Sequence, residues 1–159
     1  MTHQNEYDVH IVKVVDGDTV DVDIDLGFSL ILSNQRIRLM GIDTPESRTR
    51  DKEEKKFGLF AKHYVESMLM PNPNSTSAII TTFKDTKGKF GRILGDFKVY
   101  DPIEDRESGL VEMMLRDHIG VKYTGQNKKE IAEQHLINRK LLLEAVQENG
   151  HTVGTSILA

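Results

Sequence analysis

Apolar and polar residues alternate along the first quarter of the chain, and the rhythm becomes helical from residue 57 onward. Tyr7 to Val15 is rich in β-branched residues and stops at Asp16-Gly17, a turn signal, which predicts a first strand. Thr19 to Leu26 alternates strictly, with Val20, Val22, Ile24 and Leu26 facing one way and Asp21, Asp23 and Asp25 the other. That pattern predicts a half-buried strand with a wet, acidic outer face. Gly27 permits another reversal, and Leu30 to Ile42 reads as a third strand carrying Arg36 and Arg38. Together these segments predict an antiparallel meander.

Ser47 to Lys56 has no apolar period and is dense in charge, so it reads as a solvated loop, either purely solvated or also brushing the phosphates of a bound substrate. Phe57, Phe60, Ala61, Tyr64, Val65, Met68 and Leu69 then share one helical face, and Pro71-Asn72-Pro73 stops the helix. Thr76 to Phe83 and Arg92 to Tyr100 read as strands joined by a turn at Asp85-Thr86-Lys87-Gly88. A polar loop, Asp101 to Glu107, precedes a short helix, Leu110 to His118. Asn127-Lys128-Lys129-Glu130 has the spacing of an N-cap with an acid at N3, introducing a last helix, Ile131 to Gln147. The tail after Gly150 carries no readable pattern. Periodicity establishes an α+β chain, and the order of elements is that of a five-stranded OB-fold β-barrel with three α-helices in a single domain, 1–159.

Composition narrows the class without naming a function. A chain of 159 residues, 38% hydrophobic and 29% charged, can bury a real core. No run approaches about 18 apolar residues, so no membrane span is expected. No basic-then-apolar leader opens the chain, which points to the cytoplasm, or to secretion if a leader has been removed. Cysteine is absent, which excludes disulfides and thiolate chemistry. A net charge of −4 argues against an obligate, tight, sequence-independent DNA binder. The basic residues are nonetheless clustered, at Arg48 to Lys56 and at Lys84 to Arg92, so a basic rim can coexist with the acidic total.

Candidate chemistry concentrates in Asp16-Gly17-Asp18-Thr19, Arg38, Asp43-Thr44-Pro45-Glu46 and Arg92. Carboxylates with a nearby carbonyl suit a hard divalent cation. Paired guanidinium groups suit a phosphate, because their planar forks donate two hydrogen bonds and stay charged. A cation beside a phosphate clamp suggests phosphodiester hydrolysis.

Val15-Asp16-Gly17-Asp18-Thr19-Val20, then Arg38-Leu39-Met40-Gly41-Ile42-Asp43-Thr44-Pro45-Glu46, then Lys89-Phe90-Gly91-Arg92 resemble the staphylococcal (micrococcal) nuclease family, or thermonucleases. The likeness runs from about Val9 to Glu144, with the arginine five residues before the aspartate and the glutamate three after it. The resemblance implies a Ca2+-dependent nuclease on an OB-fold, with Mg2+ a less favoured cation, cutting DNA and RNA to leave 3′-phosphate ends. It implies Asp18 and Asp43 as carboxylate ligands and Thr44 as a carbonyl ligand. Glu46 would be an orienting group or general base at a metal-associated water, and Arg38 and Arg92 would grip the scissile phosphate. Lys89 and Phe90 stand where the family has a substrate-contacting lysine and tyrosine; Phe90 lacks the hydroxyl. Tyr123 reads either as a base-stacking residue or as ordinary packing. The expected state is a monomer without a membrane partner.

Other residues have plainer readings. Asp16 is either an outer helper of the site or turn chemistry, Arg36 a structural or surface cation, and His135 a core histidine with a satisfied hydrogen bond. The rival function is a non-catalytic OB-fold module that binds nucleic acid. Such a module would be expected to have lost arginines or carboxylates, and all five matching positions are present. The long interval from Arg92 to Val111, the absence of tryptophan and the acidic total depart from the family and bear on substrate affinity.

Overall fold

The computed structural model describes residues 5–72, 74–87 and 93–149. Strands β1 (Asn5–Asp16), β2 (Thr19–Gly27) and β3 (Leu30–Leu39) form the expected meander, with β1–β2 and β2–β3 antiparallel. A short β4 (Ile42–Asp43) leads to α1 (Lys52–Leu69), followed by β5 (Ser77–Lys87) and β6 (Ile93–Asp101). The chain continues through β7 (Arg106–Gly109), α2 (Leu110–Arg116), β8 (Val121–Lys122) and α3 (Lys128–Asn149).

The six-stranded sheet has the order β3-β2-β1-β5-β6-β7. The second edge of β6 is divided. Ile93, Leu94 and Gly95 pair in parallel with Ile37, Arg38 and Leu39 of β3, whereas Lys98 to Asp101 pair with β7. The parallel contact bends the sheet back on itself, so strands β1, β2, β3, β6 and β5 form a partly closed ring, as in an OB-like fold. The architecture is α+β with three helices among the described residues, as the sequence predicts.

Ile11, Val20, Val22, Ile37, Leu39, Ile80 and Phe97 fill the ring, and Phe60, Ala61 and Val65 of α1 with Leu110, Met113 and Met114 of α2 close its ends. Each fully buried aliphatic or aromatic side chain contributes about 1.5–3 kcal/mol.

Of the boundaries that differ from the sequence reading, four have a clear physical reason. The third strand stops at Leu39 because Gly41 adopts φ +82, a left-handed bend that glycine takes without steric cost. Ile42–Asp43 therefore becomes a separate strand, paired with β8. Helix α1 begins five residues before Phe57. Asp51 caps it, accepting from the Glu53 and Glu54 amides at 3.0 and 3.2 Å, and both acids face the positive helix end. The end of the Asp101–Glu107 loop, Arg106 and Glu107, belongs to β7, an edge strand formed by pairing with β6 despite its polar sequence. Strand β5 runs through Lys87, beyond the turn expected at Asp85, and Gly88 lies outside the described residues.

The expected alternation of β2 holds for Val20, Val22 and Ile24. Leu26 is exposed because pairing with β1 ends at Val9–Ile24 and the hairpin projects past the ring. Asp21, placed on the wet face by the sequence pattern, is buried because Arg36 covers it with two bonds, at 2.8 and 3.1 Å. Arg36 thus has the structural role its sequence context suggests.

A polar network joins the sheet to α1 and α2. Arg116 donates to Asp101 at the end of β6 and to Asp117, and the Tyr64 hydroxyl donates to Asp117 at 2.8 Å. The Arg116 hydrogen bond holds the Asp101 carboxyl below its usual range. A lowered folded-state pKa contributes stability above the ordinary aspartate value of about 4, and that stability is lost as pH falls through the lower folded value. Asp101→Asn should therefore melt below the unsubstituted protein at pH 7, with the two melting curves converging in acid. Parallel loss at every pH would show that the bond is not ionic.

Candidate active site

Four segments meet at one mouth of the ring. The β1–β2 turn supplies Asp16 and Asp18, β3 supplies Arg36 and Arg38, β4 supplies Asp43, and the following loop supplies Glu46 and Arg48. They line an open cleft of about 500 Å³ together with Val15 and Thr19. Sheet register explains the first convergence, since Thr19 pairs with Arg38 and so sets Asp18 beside the arginine.

Arg38 lies between the two aspartates. Its Nη1 is 3.3 Å from Asp18 Oδ2 and its Nη2 is 3.6 Å from Asp43 Oδ1, and Nη1 also donates to the Leu39 carbonyl at 3.2 Å. The guanidinium is only 15% exposed, so it is held in place rather than free in solvent. Asp18 accepts further bonds from the Thr44 amide at 3.2 Å and the Thr19 hydroxyl at 3.0 Å. Burial pushes the Asp18 carboxyl above its usual range, against the opposing pull of Arg38 and the Thr44 amide. Burial and the carboxylates of Asp16, Asp18, Asp43 and Glu54 raise Glu46 in the same direction. The cleft therefore concentrates more negative charge than its arginines neutralise, because Arg36 is committed to Asp21.

The loop that carries Glu46 is held on two sides. Asp16 Oδ1 accepts from both the amide and the hydroxyl of the buried Ser47, and Glu54 Oε1 lies 3.4 Å from the Glu46 amide. Asp16 is thus a helper that ties the β1–β2 turn to the Glu46 loop, and not turn chemistry alone. Gly17 is needed for space. Its φ lies outside the left-handed region, but a Cβ would come within 2.7 Å of Ala61 Cβ and 2.8 Å of Thr44 Oγ1.

These residues fit a hard cation by donor chemistry. Asp18 and Asp43 offer carboxylate oxygens, and Thr44 is 4% exposed with an Oγ1 that lacks a hydrogen-bond partner. Among the described residues no three His, Cys, Asp or Glu side chains converge as a ready-made ligand set, so backbone and water oxygens would have to complete the shell.

The sequence reading is only partly realised at the other positions. Tyr123 is 43% exposed and stands at the end of β8 with its amide bonded to the Gly41 carbonyl at 2.8 Å, outside the cleft lining. Lys89, Phe90 and Arg92 lie outside the described residues. His135 does have its hydrogen bond satisfied, but not within the core, because Nε2 lies 2.7 Å from Asp43 Oδ2. Sequence reasoning passed over Ser47, and it read Arg48 only as part of a basic rim. A signal for His135 existed in its polar ring on an otherwise apolar helical face.

The sequence matches the family model described as staphylococcal nuclease homologue over residues 36–149, and the chain belongs to that family. It is 30% identical over 97 residues to endonuclease YhcR of Bacillus subtilis, covering 58% of this chain and 7% of that protein. It is 33% identical over 112 residues to the uncharacterised protein MJ1439 of Methanocaldococcus jannaschii, covering 58% of this chain and 48% of the relative. The chain thus spans less than half the length of the curated relatives it matches. Among the described residues no helix is long and apolar enough to cross a membrane.

Proposed function

We propose that this protein is a divalent-cation-dependent nuclease that hydrolyses phosphodiester bonds of DNA and RNA with little sequence preference, using calcium and leaving 3′-phosphate ends. Family membership and a relative named as an endonuclease support nuclease chemistry. The observation that carries the reading is the juxtaposition of Asp18, Arg38, Asp43 and Glu46 at one cleft. Its excess of carboxylates would repel an anionic backbone, which supports a requirement for a cation.

Asp18, Asp43 and Thr44 would hold the calcium ion. Bound there, the ion would neutralise a phosphate oxygen and acidify a nearby water. Arg38 donates to an equatorial phosphate oxygen, and the reading assigns Arg92 a second such bond. A fixed fork aimed where charge accumulates favours the transition state over the bound substrate. Glu46 faces the attacking water and takes its proton, a task suited to a carboxylate whose basicity is raised by burial and like charge. Water adds to phosphorus, the bond to the 5′ oxygen breaks, that oxygen leaves as a hydroxyl after taking a proton from solvent, and Glu46 returns its own proton to solvent. Lys89, Phe90 and Tyr123 are assigned to the substrate beyond the scissile bond.

The test is incubation of plasmid, denatured DNA and RNA with calcium, magnesium or chelator, followed by end-group analysis. Cleavage with calcium, abolition by chelator and 3′-phosphate products are expected. Equal rates with and without chelator would overturn the cation requirement. Binding without cleavage would instead identify a non-catalytic module.

A further inference from the structure

We propose that His135 of α3 is a positioning residue for the cation site, selecting the oxygen that Asp43 presents to the cleft. This inference rests on the cation reading above and extends it to an element that supplies no ligand. A carboxylate can offer either oxygen and can rotate between them. Here Oδ2 is taken by His135 Nε2 at 2.7 Å, while Oδ1 points toward Arg38 Nη2 at 3.6 Å. An ionised carboxylate only accepts, so the proton of this bond sits on Nε2. The contact is shielded, since the histidine side chain is 11% exposed and that of Asp43 30%.

The two partners are 92 residues apart, so the bond exists only when α3 is docked. Three other features seat the helix. Asn138 Nδ2 donates to the Gly120 carbonyl at 2.9 Å, Arg139 lies over the Phe57 ring at 5.4 Å, and Leu142 is buried. Most of the remaining α3 surface faces solvent. Asp43 itself sits on a two-residue strand, β4, whose only strand partner among the described residues is β8, two residues long. So short a pairing does little to fix a side chain. The histidine therefore restricts Asp43 from outside the strand, as hydrogen bonds from supporting groups restrict ligating carboxylates elsewhere.

A purely structural role would be to pin the helix, and it can be separated from positioning. Calcium binding to the full chain would be measured by isothermal titration calorimetry for the unsubstituted protein, His135→Leu, His135→Gln and Asn138→Ala, with melting in chelator as the check on folding. His135→Leu should bind calcium at least about ten-fold more weakly while remaining folded. His135→Gln, whose amide can still donate, should recover most of that loss. Asn138→Ala loosens α3 without touching Asp43 and should leave calcium affinity unchanged. Unaltered affinity in folded His135→Leu, or an equal loss in Asn138→Ala, would overturn the positioning role alone. Failure of the unsubstituted protein to bind calcium would overturn the cation reading and this proposal together. A double-mutant cycle between His135→Leu and Asp43→Asn, melted in chelator, tells these failures apart, because coupling without metal requires the contact itself.

Discussion

Arg38→Ala is expected to lower kcat on DNA by about 10²–10³-fold while changing KM little, with the fold intact. The size follows from how the side chain is held. Arg38 lies on β3 where that strand pairs with β2 on one side and with β6 on the other, so its backbone is fixed by the ring. Its fork is only 15% exposed and already faces Asp18 and Asp43, so little reorganisation is needed when a phosphate arrives. A donor fixed in advance acts mainly on the charge that develops during attack, which is why kcat should carry the loss. Arg38→Lys should recover little, since an ammonium cannot reproduce two parallel N–H bonds. The variant also makes a prediction about stability. Without cation, removal of Arg38 leaves Asp18 and Asp43 without the guanidinium that faces both, so melting in chelator should fall more than melting in calcium. Steady-state kinetics and paired melts check both parts. Turnover at the unsubstituted rate would remove Arg38 from the phosphate clamp.

The parts of this site that were legible in the sequence are those carried by local geometry. Asp18 lies in the two-residue β1–β2 turn directly before Thr19 and Arg38 lies on β3, so their proximity follows from Thr19 pairing with Arg38 across adjacent strands of the meander. Asp43 and Glu46 follow within eight residues, and Gly41 keeps them at the mouth by ending the strand. The contacts that refine the site were not legible, because they join segments far apart in sequence. Asp16 and Ser47 are 31 residues apart and His135 and Asp43 are 92 apart, and no local pattern specifies either bond. Ring closure has the same character, since the β3–β6 pair is three residues long and parallel.

The start of α1 is a different case, because its signal was present and was outweighed. Asp51 followed by Glu53 and Glu54 is a capped, acid-rich first turn, but that turn is solvated and carries no apolar period. Periodicity detects a buried face, so it found the helix only where Phe57 begins to pack. Strand β7 shows the converse. Its sequence has no strand character, and it is a strand because β6 has an edge to cover.

Gly58→Ala is expected to abolish most activity and to destabilise the protein, although it places a better helix former within a helix. A Cβ at residue 58 would fall 2.2 Å from the Glu46 carbonyl oxygen, 2.3 Å from its carbon and 2.6 Å from the Ser47 amide nitrogen. All three are backbone atoms, so no rotamer change can relieve the clash. Ordinary contact begins near 3.4 Å, so 3.4 − 2.2 requires helix and loop to separate by 1.2 Å. The loop resists, because Ser47 is bonded to Asp16 and the Glu46 amide faces Glu54. The helix resists as well, because Phe57, Phe60 and Ala61 are packed into the core beside Gly58. Alanine's helical advantage is about 1 kcal/mol, while overpacking a rigid contact costs about 1–3 kcal/mol or more, so the clash should win. Whichever side yields, Glu46 moves relative to Asp18 and Arg38, and a misplacement of about 1 Å at a reacting centre can cost about 10²-fold in rate. Cleavage assayed well below the melting point separates the two effects, since a stability loss alone would leave the folded enzyme fully active. Normal turnover by folded Gly58→Ala would mean that the Glu46 loop tolerates displacement, and Glu46 would then lose its claim to act on the attacking water.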